Sequence, residues 1–120
     1  MTLMIFANIF FFLVVALHLY FAVLEILLWK SRASKVFKIS QAQADATATM
    51  ASNQGLYNLF LVMALVTGFF AKDPNVSHSF IVYGLACVIA AGLWGGVTVH
   101  KRIAFVQALP AVIALVLYLI

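Results

Sequence analysis

His18 and Glu25 are the two ionisable side chains inside the first long apolar run of this chain. Asn53, Gln54, Tyr57 and Asn58 are the strongest cluster of hydrogen-bonding groups in the second. Seven residues is two helical turns, so His18 and Glu25 fall on one stripe, which Ala22 and Trp29 share. An imidazole and a carboxyl group on one stripe can hold a polar head group, exchange protons with a cargo, or act as acid and base. A carboxyl group facing lipid costs about 2.5–3.5 kcal/mol even on the mildest scales. The stripe must therefore face protein or water, and the other helices are expected to cover it.

The solvent around those helices follows from composition. The chain has 120 residues, of which 67% are hydrophobic and 8% charged, and its mean hydropathy is +1.16. A soluble domain of this length has too little interior for so much apolar surface. Crossing a hydrocarbon core takes about 20 apolar residues, and four such runs fit with little left over. The sequence therefore predicts an all-α membrane protein, a four-transmembrane-helix bundle. It forms one domain over 1–120 with spans of about 3–29, 46–70, 78–99 and 103–120. The N-terminal run is too long, and too poor in preceding basic residues, for a cleaved signal peptide, so it reads as a retained span. The net charge of +4 does not point to nucleic acid, because the basic residues sit in short loops as topology signals. Cys87 is the only cysteine, so no intrachain disulfide can form, and its apolar setting reads as packing.

The connections are legible. Trp29 reads as an interfacial aromatic, and Lys30, Arg32, Lys35 and Lys38 make loop one the most basic segment. Ser40-Gln41-Ala42-Gln43 is a capping box that opens the second helix. On that helix Asn53, Gln54, Tyr57 and Asn58 fall within an arc of about 140°, a wide polar face. Asp73-Pro74-Asn75 is turn chemistry. The third helix is rich in small residues, and Gly92 and Gly96, with Gly95 beside them, allow close helix packing within the bundle or between copies in a homo-oligomer. Pro110 in the fourth helix frees the carbonyl of Val106 and predicts a kink, with Gln107 placed to satisfy the freed backbone.

Loops one and three carry six basic residues and loop two only Lys72. The positive-inside rule then places loops one and three in the cytoplasm and both termini outside a cell (inner) membrane. At about 1.5 Å per residue, Glu25 and Gln54 lie near the cytoplasmic boundary, Asn58 deeper and His18 near the midplane. Thr98 and Gln107 fall in the same half. Four helices thus contribute polar groups to one half of the bilayer, which predicts a cavity open to the cytoplasm or inner leaflet.

The features Leu17-His18-Leu19-Tyr20, Leu24-Glu25 with Trp29, Lys35-Val36-Phe37, the Asn53-to-Asn58 block and Gln107 with Pro110-Ala111 together resemble a family of small four-span integral membrane proteins. That family is filed as domain of unknown function thirteen-oh-four. The likeness covers nearly the whole chain, and Asn-Gln-Gly-Leu-Tyr-Asn is its most specific part. It implies four spans and no particular activity.

Each polar residue also has a packing reading. Glu25 can be a hydrogen-bonded packing group, His18 a satisfied core histidine, and the Asn53-to-Asn58 block glue between helices worth about 1 kcal/mol per bond. The accumulation of His18, Glu25, Gln54 and Asn58 in one half of the bilayer favours a site. The leading expectation is a binding protein for a membrane lipid or other apolar small molecule, with the polar cluster on its head group. One alternative is a proton-coupled exporter built on Glu25, by analogy in length and span number with small multidrug resistance transporters. Another is a membrane enzyme using Glu25 and His18 as acid and base; similarity to membrane glutathione-transferase-like proteins is opposed by the lack of Arg in the second helix. No metal site is expected, because His18 and Glu25 give two ligands where a stable zinc site takes three or four. No cofactor motif is present.

Overall fold

A computed structural model describes all residues, Met1 to Ile120. The chain is all-α, the class its sequence predicts. It has four helices long and apolar enough to cross a membrane: α1 (Thr2–Val36), α2 (Gln41–Phe70), α3 (Pro74–Thr98) and α4 (Lys101–Leu119). Large apolar side chains such as Leu3, Ile5, Phe6, Phe60, Met63 and Trp94 stand exposed around them. Helices of this length with such surfaces are those of a multi-pass membrane protein.

The helices outrun the expected spans because helical hydrogen bonding does not stop where hydrophobicity does. The 35 residues of α1 measure about 50 Å, against about 30 Å of hydrocarbon. Much of the expected loop one is thus the end of α1: Lys30, Arg32 and Lys35 all lie on its last segment, Trp29–Val36. The Phe37 N–H closes that segment on the Ala33 carbonyl. Lys38 then takes a φ of 55°, the left-handed step that commonly ends a helix.

The capping box forms as its sequence dictates. The Gln43 N–H donates to Ser40 Oγ, and the Ser40 N–H donates to Gln43 Oε1, both at 3.1 Å. Helix α3 starts at Pro74 because Asp73 caps it, accepting from the Asn75 and Val76 N–H groups. Proline suits the first turn, where its missing N–H has no helical partner to lose.

Two compact units divide the chain. One comprises Met1–Leu17 with Met63–Ile120, the other His18–Val62. In the first, α3 and α4 pack through the predicted glycine face. A Cβ on Gly92 would lie 2.6 Å from the Ala108 backbone nitrogen, one on Gly95 2.7 Å from Ile103 Cγ2, and one on Gly96 2.7 Å from Ala104 Cβ. These glycines therefore serve contacts inside the chain. Helix α4 meets its proline with a π-turn over Ala104–Ala108, where the Leu109 N–H reaches five residues back to the Ala104 carbonyl. A π-turn inserts one residue into the helical ladder, and this is the local irregularity that accompanies Pro110.

In the second unit the contact stripe of α2 is made of small residues. Ala44 is fully buried, Ala51 nearly so, and Gly55 is buried with them. A Cβ on Gly55 would lie 2.7 Å from Ile26 Cγ1 and 3.1 Å from both the Ala22 carbonyl oxygen and Glu25 Cβ. Close backbone approach through small side chains is the usual way helices associate in lipid.

Candidate membrane-embedded polar site

Glu25 sits in the other π-turn of the molecule, Leu24–Leu28. Nothing in Leu-Glu-Ile-Leu-Leu marks it, since leucine and isoleucine carry no signal for one helical register over another. Its consequence is local: an extra residue in the turn re-aims the side chains around it, and such turns occur often at functional sites. Leu28, at the end of the turn, has φ −113° and ψ 3°. Its carbonyl also accepts from Ser31 Oγ at 3.1 Å.

Gly55 brings α2 against this turn. One helical turn further on, Asn58 falls on the same face of α2, and its Nδ2 donates to Glu25 Oε2 at 3.0 Å. Both side chains are partly buried. A carboxyl group has two oxygens, and Asn58 engages one of them. Two further contacts set the α1–α2 register toward the connecting turn. Trp29 Nε1 donates to Thr47 Oγ1 at 3.0 Å, and Gln41 Nε2 donates to the Lys30 carbonyl at 2.8 Å; the Trp29 ring also lies 5.3 Å from that of Phe37, at the end of α1. Ala22, Val23, Ile26, Leu27 and Leu59 line an open, wholly apolar hollow in this unit. Ile26 is next to Glu25 in sequence, and Leu59 is next to Asn58.

The remaining candidates fall in different environments. His18 is 1% exposed and its ring meets Phe21 edge-on at 5.6 Å. Asn53, Gln54 and Tyr57 are exposed, Tyr57 at 60%. The wide polar arc expected on α2 is therefore not its contact face. In this unit that face is set by Ala44, Ala51 and Gly55, and Tyr57, two residues past Gly55, points about 200° away from it. Of the Asn53-to-Asn58 block, only Asn58 reaches the α1 carboxyl group. Gln107 lies in the other unit, within the α4 π-turn, where its Cβ is 3.0 Å from the Cβ position of Gly92.

Gly55 is the site residue that polarity alone passes over. Its signal is a glycine inside a membrane helix, a residue that lets another backbone come close.

A family model described as "Protein of unknown function (DUF1304)" matches residues 12–119. No curated protein and no solved structure matches the chain.

Proposed function

This chain belongs to the DUF1304 family, whose description carries no activity, and we propose from its own residues that it binds a membrane lipid or similar amphiphile. The carrying observation is the Glu25–Asn58 pair, 3.0 Å apart at a π-turn beside a hollow with a wholly apolar lining. Asn58 orients the carboxyl group and leaves its second oxygen to accept from a ligand head group. The apolar hollow offers the tail a wall that lipid chains already contact. A head group with a hydrogen-bond donor or a positive charge fits a carboxyl acceptor.

The positive-inside rule supports an orientation with this site in the cytoplasmic half of a cell membrane and both termini outside. His18 belongs to the same stripe of α1 as a buried group that fixes helix packing under the site.

Native mass spectrometry of the protein released from nanodiscs of mixed lipid tests the reading. A retained lipid or amphiphile adduct is expected on the parent and is expected to be depleted in Asn58→Leu. Vesicle flux assays separate this from the exporter reading: ligand-coupled proton movement would replace binding by transport. Conversion of the retained molecule during incubation would replace binding by catalysis.

A further inference from the structure

We propose a second ligand site, in the unit formed by Met1–Leu17 and Met63–Ile120: a pocket for one uncharged six-membered ring carrying a hydroxyl or carbonyl oxygen. The two ends of the pocket differ in chemistry. Its floor is made by Ala7, Phe11, Ile81, Leu85 and Ala114, all at most 6% exposed. Its rim carries Asn8, Ser77 and Tyr118, three neutral groups that each both donate and accept hydrogen bonds. These residues come from the start of α1, the start of α3 and the end of α4. Phe69, from the end of α2, completes the wall and stacks on Phe11 at 5.7 Å.

Size and charge select the ligand. The cavity is about 180 Å³, close to the roughly 150 Å³ apolar cavities that hold a single benzene ring. That volume holds one ring and is too small to enclose a whole acyl chain. No charged side chain lines it, so an ionic head group would lose its hydration without a partner. An oxygen on the ring answers the polar rim. The Tyr118 ring lies 5.7 Å from the ring of His78. Apolar walls with a few convergent polar groups are the usual form of a small-molecule pocket. A free phenol and the ring head of a tailed membrane quinol share this chemistry.

Fluorine NMR of para-fluorophenol added to the full chain in nanodiscs tests the proposal, with empty nanodiscs as the partition control and para-fluorotoluene as the probe lacking oxygen. The parent is expected to bind para-fluorophenol saturably. Tyr118→Phe, which keeps the ring, and Ser77→Ala are each expected to weaken that binding about threefold to tenfold, as for loss of one hydrogen bond, and to leave para-fluorotoluene unaffected. Ala114→Leu fills the floor and is expected to abolish binding of both probes; the two rim variants carry the test if it does not fold. Displacement by a decyl-tailed quinol assigns the site to a lipid head, and failure to displace assigns it to a free ring; both build on saturable binding. No binding beyond that of empty nanodiscs, or equal affinity for both probes in parent and rim variants, would overturn the proposal.

Discussion

The Glu25 carboxyl group is held from one side by Asn58 Nδ2 at 3.0 Å, and the consequences of that geometry separate structure from function. Glu25→Leu strands the Asn58 amide against an apolar neighbour and is expected to cost about 1–3 kcal/mol, read as a lower melting temperature in detergent. Asn58→Leu strands the carboxyl group and is expected to cost a similar amount. The double variant is expected to recover most of that loss, because replacing both partners by apolar groups leaves nothing unsatisfied. Strictly additive losses would mean that the two side chains do not act as a pair. Glu25→Gln differs: the amide matches the carboxyl group in size and still accepts through its oxygen, so folding is expected to be unchanged. Substitutions at Asn53, Gln54 and Tyr57, which stand exposed, are expected to leave stability nearly unmoved. At this scale the sequence shows which residues have unusual chemistry and misleads about which of them meet. Polarity marks Asn53, Gln54, Tyr57 and Asn58 alike. The size of Ala51 and Gly55 decides that Asn58 alone reaches the carboxyl group.

A helix start is legible where its signal is local: Ser40 and Gln43 carry their own partners within three residues, and that cap forms. Asp73-Pro74, read as turn chemistry, instead caps α3 four residues before its expected span, and α1 runs past its expected end at Trp29 to Val36. The two π-turns are legible only in part. The turn at Ala104–Ala108 announces itself through Pro110, which removes a ladder hydrogen bond. The turn at Leu24–Leu28 has no such residue, and its register is settled by what α1 packs against rather than by its own side chains. Glycine spacing marks a close helix contact without naming its partner; the geometry shows α4 against it and adds an order of severity. An added Cβ meets backbone at Gly92, the short rigid side chain of Ala104 at Gly96, and the longer side chain of Ile103 at Gly95. Alanine substitution is therefore expected to destabilise most at Gly92 and least at Gly95, with losses of about 1–3 kcal/mol at the severe end. Thermal melting of the three variants checks this, and a Gly95→Ala protein less stable than Gly92→Ala would refute the packing argument. Gly55→Ala is expected to push α2 off the π-turn and to lengthen the Glu25–Asn58 bond, lowering ligand retention along with stability.

At the scale of the molecule, a chain that is 67% hydrophobic points to a membrane, and the lengths of its apolar runs give the four helices that form. Orientation rests on six basic residues in loops one and three against one in loop two. Cysteines placed at Ser34 and Asn75 in a Cys87→Ser background are expected to react with an impermeant reagent from opposite sides of the membrane, and reaction from the same side would refute the topology. On the proposed function, Glu25 binds a ligand rather than only joining two helices. The most direct test is the occupancy of the co-purified adduct on the parent and on Glu25→Gln, measured by native mass spectrometry from identical nanodiscs. Equal melting of the two proteins is expected, with adduct occupancy at least about fivefold lower on Glu25→Gln, because its single amide oxygen stays on Asn58 and the group left facing the head group is an NH2, which can only donate. Equal occupancy on two equally stable proteins would contradict the proposed function and leave Glu25 as a packing residue.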